Sequence, residues 1–162
     1  MEKKGAGSRA RKNGKGATGH LLLVDDHKDG LAARKAVLEE LGHTVTTAGN
    51  GQAAYDLLQQ QAFDLLVTDF KMPKLNGLEL IARLRAEGQT LPIVLLSGYS
   101  NVVDWKACGA DDVLEKSSNE LVHLVSAVGR LLARKPKRKP VKQAKVEDIQ
   151  AEGLPKVRRQ TS

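Results

Sequence analysis

Cysteine occurs once in these 162 residues, at Cys108, so no disulfide can form within the chain and a reducing, cytosolic setting is expected. Aromatic residues make up only 3% of the sequence, and Leu, Val, Ile and Ala must therefore fill the core. No apolar run approaches the ~20 residues of a membrane span. The run that follows the basic start, residues 21–24, is also too short for the apolar region of a signal peptide. His20, His27, His43 and His123 recur at no metal-ligand spacing, which argues against a zinc site. Trp105, the single tryptophan, fits either half-buried packing or an exposed partner-facing position.

Charge is abundant but unevenly placed. Residues 1–19 carry +5 and residues 130–162 carry +8, whereas residues 20–129 carry −6. An acidic core of one-domain size between two basic tails is the simplest reading. Residues 1–19, rich in Gly, Lys, Arg and Ser, read as a basic disordered tail. Residues 135–162 read as a basic low-complexity tail, with Pro136 and Pro140 barring continuation of the preceding helix. Two tails of one sign suit an anionic polymer or surface. Any nucleic-acid contact would be nonspecific and salt-sensitive, since no base-reading motif is present.

Between the tails, strand and helix patterns alternate. Short apolar runs at 20–24, 63–68 and 92–96, an alternating stretch at 44–48 and a brief run at 113–115 read as five strands. Patterns of helical period at 28–41, 52–61, 78–84, 101–108 and 121–132 separate them. In the first helix Leu31, Ala32, Val37, Leu38 and Leu41 supply the apolar positions, and in the last Leu121, Val122, Leu124, Val125, Val128 and Leu131 or Leu132 do so. The expected fold class is α/β, a doubly wound parallel sheet, in which ligands gather at the carboxyl ends of the strands.

Five residues fall at or just past those ends: Asp25, Asp26, Asp69, Ser97 and Lys116. Any one of them has an ordinary explanation as a helix cap or loop residue. Together, carboxylates from neighbouring strands repel one another unless a cation lies among them. A few carboxylates with room for water suit Mg²⁺. Acids, Mg²⁺, a lysine and a hydroxyl on one edge match phosphoryl transfer, in which cations and donors neutralise the phosphoryl oxygens. A carboxylate can itself be the nucleophile. Asp69, on the third strand, is the best candidate, with Asp26 and Asp25 holding the metal and Lys116 and Ser97 each taking a phosphoryl oxygen. Gly49-Asn50-Gly51-Gln52-Ala53-Ala54 matches the loose form of a dinucleotide fingerprint, but it follows the second strand and explains none of the five residues.

At residues 20–134 the chain resembles the receiver domain of two-component response regulators, the family of the chemotaxis protein CheY. The resemblance rests on Leu22-Leu23-Val24-Asp25-Asp26, Val67-Thr68-Asp69-Phe70-Lys71-Met72-Pro73 with Gly77, Leu95-Leu96-Ser97-Gly98-Tyr99, and Gly109-Ala110-Asp111 leading to Lys116. It implies a flavodoxin-like five-stranded parallel sheet in order 2-1-3-4-5, an order that the general rules for such folds themselves attach to CheY. It also implies that Asp69 is the phospho-acceptor, that Asp26 and the backbone carbonyl of Lys71 ligate Mg²⁺, and that Asp25 acts through water. Ser97 would be the switch hydroxyl and Lys116 the phosphate-binding lysine. The implied partners are a histidine kinase or histidine phosphotransfer protein and a downstream protein target. The implied role is that of a stand-alone signalling protein rather than a turnover enzyme. Two positions depart from the family pattern. Val113 stands where a Tyr or Phe is usual, and Ser117 stands where a proline is usual.

Overall fold

The structure, a computed structural model, describes residues 16–98 and 105–134, and the side chains of Trp105 and Lys106 are not among the features described. Most of the two expected tails, the first part of the expected fourth helix and the setting of the Trp105 ring lie outside the described residues. Within them the chain alternates strictly. The elements are β1 (His20–Val24), α1 (Lys28–Glu40), β2 (Thr44–Ala48), α2 (Gly51–Gln60), β3 (Leu65–Asp69), α3 (Gly77–Ala86), β4 (Ile93–Ser97), α4 (Trp105–Cys108), β5 (Asp112–Glu115) and α5 (Glu120–Ala133). All strand pairs are parallel, in order β2-β1-β3-β4-β5, as the sequence predicts.

Side chains alternate across a strand, so each apolar strand supplies both faces of the sheet. Leu21, Leu23, Leu65, Val67, Val94 and Leu96 point to one face and pack with Leu38 of α1 and Leu124, Ala127, Val128 and Leu131 of α5. Leu22, Val24, Leu66, Ile93 and Leu95 point to the other, against Ala54 of α2 and Leu80, Ile81 and Leu84 of α3. Each such Leu or Ile contributes roughly 1.5–3 kcal/mol by leaving water. These two layers hold the strand ends in fixed register.

The starts of α2 and α3 are set by polar caps. Asn50 accepts from the Ala53 amide at 2.8 Å. Asn76 and Glu79 form a reciprocal capping box at the start of α3, with contacts of 2.9 and 2.8 Å. The glycines and asparagine of the nucleotide-like fingerprint therefore serve a helix start, and Gly51 packs against the Leu75 carbonyl.

Several expected core positions differ. Leu41 is 45% exposed, because α1 ends at Glu40 and leaves it beyond the last turn. Val122 is 69% exposed. The inward stripe of α5 runs through Leu124, Ala127, Val128 and Leu131, and a residue two positions away from Leu124 points to the opposite side. Ala32 is likewise exposed. β3 starts at Leu65 rather than at 63, and Phe63 lies against His20 with ring centroids 4.4 Å apart and the rings tilted by 41°. No cis peptide bond occurs among the described residues.

Candidate functional site

The sheet brings the five strand-end residues to one edge. β3 is central, so Asp69 has β1 on one side and β4 on the other. Val24 is level with Thr68, Asp69 with Leu96, and Ser97 with Glu115. That register places Asp25 beside Asp69, and Lys116 one residue past the level of Ser97. The Lys116 amide donates to the Ser97 carbonyl at 2.8 Å.

Lys116 joins the two buried acids. Its Nζ lies 2.9 Å from Asp69 Oδ1 and 3.4 Å from Asp25 Oδ2. Asp69 is 4% exposed, and its Oδ1 also accepts from the Phe70 amide at 2.8 Å. Burial pushes the Asp69 carboxyl above the usual carboxylate range, and the charge on Asp25 adds to this. The Lys116 ammonium and the Phe70 amide oppose the rise without cancelling it. Asp25 is 2% exposed but shifts the other way. Burial would raise it, yet the His27 amide, the Arg34 guanidinium and Lys116 together outweigh burial and hold it low. Two buried acids side by side are thus driven apart by their donors.

Asp26 lies at the open rim, with its side chain one-third exposed and its Oδ1 3.0 Å from His27 Nδ1. Ligand atoms of Asp25, Asp26, His27 and Asp69 all lie within 4.8 Å of one another. This donor set is mainly hard carboxylate oxygen. It is open on one side, where Asp26, Phe70, Lys71, Met72 and Asn76 line a cleft. That chemistry fits Mg²⁺, which takes a few carboxylates and keeps several waters. Lys71, whose carbonyl the family pattern assigns to the metal, lines the cleft. Ser97 is buried, 1% exposed, at the end of β4.

One contributor, Arg34, was not singled out from the sequence, and the roles of His27 and Gly77 at the site become visible only in the fold. Arg34, within α1, is buried and pairs with Asp25 at 2.5 Å and with Glu120 of α5. A signal existed: position 34 falls between Leu31 and Leu38 on the apolar stripe of that helix, where a charge needs a partner. His27 joins the acid group through space. Gly77 packs directly under the backbone of Asp69, which only the fold reveals.

The family described as "Response regulator receiver domain" matches residues 21–128. The transcriptional regulatory protein TctD of Salmonella typhimurium is 38% identical over 117 residues, which are 70% of this chain and 52% of that protein. The gliding motility regulatory protein of Myxococcus xanthus is 35% identical over 116 residues, 68% of this chain and 15% of that protein. The chain thus spans about half the length of the first relative and 15% of the second. Among solved structures, the response regulator TrrA of Thermotoga maritima in complex with Mg²⁺-BeF is 32% identical. Its TM-score is 0.64, over 69% of this chain and 97% of that one. With this fold and the matched strand ends, the chain belongs to the response regulator receiver domain family of two-component systems.

Proposed function

We propose that this protein accepts a phosphoryl group on Asp69 from a histidine kinase or histidine phosphotransfer protein and signals through phosphorylation-dependent protein–protein contact. The carrying observation is the Lys116 ammonium held 2.9 Å from Asp69 Oδ1 within a group of acids that needs a cation. Asp69 is the nucleophile. One of its carboxylate oxygens forms the new P–O bond as the P–N bond of the donor phosphohistidine breaks, and the departing imidazole takes up a proton. Lys116 and the Ser97 hydroxyl each take one phosphoryl oxygen. Asp25, Asp26, Asp69 and the Lys71 carbonyl would hold Mg²⁺, which supplies charge neutralisation for the transferring group. Phe70 and Met72 line the mouth of the cleft beside Asp26.

No observation favours the alternative of nonspecific nucleic-acid binding through the tails. The family match ends at residue 128, and residues 1–15 and 135–162 lie outside the described residues. Among the described residues no helix is long and apolar enough to cross a membrane.

Incubation with acetyl phosphate and Mg²⁺ tests the proposal. The expected result is a base-labile mass increase of one phosphoryl group that requires Mg²⁺ and is absent in Asp69→Asn. No increase, or one that survives Asp69→Asn, overturns it.

A further inference from the structure

Arg34 is the only lysine or arginine that is buried among the described residues. One edge of its guanidinium meets Asp25 Oδ2 at 2.5 Å, and its Nε meets Glu120 Oε1. Glu120 is the first residue of α5. Space for the guanidinium comes from Gly30, where a β-carbon would lie 3.3 Å from Arg34 Nη1. The cation therefore sits between one acid of the site and one acid of a helix whose sequence position is 86 residues from its own.

Asp25 Oδ2 is shared. Arg34 holds it at 2.5 Å and Lys116 reaches it at 3.4 Å. Any cation entering among Asp25, Asp26 and Asp69 competes with Arg34 for the negative charge of Asp25. Glu120 draws on the same guanidinium from its other edge, which limits how much positive charge Asp25 feels. A purely structural strut would need an acid at each end. It would not need one of those acids to belong to the ligand group.

We propose that Arg34 is a positioning residue for the acidic site: the Asp25–Arg34–Glu120 bridge orients the Asp25 carboxylate, sets the affinity of the site for Mg²⁺, and links that affinity to the first turn of α5. The inference rests on the reading of the acids as a Mg²⁺ site. Coupling of this kind is reciprocal, so occupancy of the site and the position of Glu120 influence each other equally.

The test is calorimetric titration of the full chain with Mg²⁺, combined with backbone amide spectra. Arg34→Gln removes a competing charge and should tighten Mg²⁺ binding on the order of tenfold. Glu120→Gln leaves Arg34 to Asp25 alone and should weaken binding severalfold. The two partners of one bridge thus move the affinity in opposite directions, which loss of packing does not do. In the Arg34→Gln background the effect of Glu120→Gln should vanish, because Glu120 acts through Arg34. Arg34→Lys keeps the charge and should restore affinity to near the wild-type value. Mg²⁺ should also shift the amides of Glu120–Val122 in the wild type and not in Arg34→Gln.

Affinity unchanged in both variants, or moved the same way, overturns the inference while leaving the Mg²⁺ site intact. A wild-type protein that binds no Mg²⁺ overturns both. If Arg34→Gln fails to fold, Glu120→Gln decides alone, and a folded Glu120→Gln with wild-type affinity refutes the bridge.

Discussion

A β-carbon on Gly77 would lie 2.2 Å from the carbonyl oxygen of Asp69. The first residue of α3 thus packs against the backbone of the residue proposed to take the phosphoryl group. The Gly77 amide donates to the Phe70 carbonyl at 2.9 Å, and Leu95 Cδ1 closes the other side at 3.1 Å from the same β-carbon position. Gly77→Ala should therefore cost about 1–3 kcal/mol by overpacking and slow phosphoryl uptake by displacing Asp69. Gly129, inside α5, has nothing within 4 Å of its β-carbon position. There Gly→Ala should stabilise by about 0.5–1 kcal/mol, since helix propensity is gained without a clash. Thermal unfolding of the two variants should give shifts of opposite sign.

The two buried acids predict opposite pH signatures in the metal-free protein. Asp69 has a folded-state pKa above its unfolded value, so its ionisation costs stability. That cost is absent below the ordinary carboxylate range and sets in as pH rises through the raised folded value. Asp25 is held low, and its contribution is present above the ordinary carboxylate range and lost as pH falls through the lowered value. Stability of Asp69→Asn relative to the wild type should therefore rise between about pH 4 and pH 7, whereas that of Asp25→Asn should fall. Denaturant midpoints measured across that range check both signs.

If Asp69 takes the phosphoryl group as proposed, it would gain about −1.5 to −2 charges at neutral pH, which would draw in Ser97 and Lys116. Val113 is too small to swing between buried and exposed positions as an aromatic side chain would. Lys116→Ala should leave Asp69 able to accept phosphate but reduce the response of the segments after β4 and β5. Amide shifts induced by beryllofluoride, standing in for the phosphoryl group, should be smaller in Lys116→Ala than in the wild type. Equal shifts in both proteins would contradict this.

Arg85 fastens β5 from outside the site. Its guanidinium donates to the carbonyls of Gly109, Gln89 and Leu91 and to Asp111 Oδ2, at 2.7–2.9 Å, and Asp111 in turn accepts from the Ile93 amide at 2.8 Å. Arg85→Ala leaves three carbonyls with one donor fewer and should cost about 2–3 kcal/mol. Because β5 leads directly to Lys116, phosphoryl uptake should fall at temperatures well below the global unfolding midpoint.

What could be read from the sequence follows from period and punctuation. Mainly apolar runs leading to Asp25, Asp69 or Ser97 mark buried parallel strands whose last residues face a common edge, so the site emerged together with the sheet. Gly42 and Gly109, both at positive φ, mark turns where the sequence places helix stops. Contacts that depend on helix rotation were less legible. Val122 looks like part of an apolar stripe but faces solvent, whereas Arg34, a charge on the apolar stripe of α1, is buried. The partner that makes Arg34 tolerable is Glu120, and no local pattern links residues so far apart in the chain.

The acids and the cation of the site stand on different parts of the sheet. Asp25 and Asp69 end the two strands β1 and β3, each flanked by neighbours on both sides, while Lys116 follows β5, which pairs with β4 alone. β5 is also less buried than β3 or β4. An edge strand of this kind is among the first segments to open locally, well below the free energy of global unfolding. The ammonium therefore rides on the rim that can detach and re-form while the carboxylates stay fixed. Under the proposed function, the fraction of molecules ready to receive a phosphoryl group would be smaller than the fraction folded, and slower amide exchange along β5 would report any partner or ligand that narrows the gap.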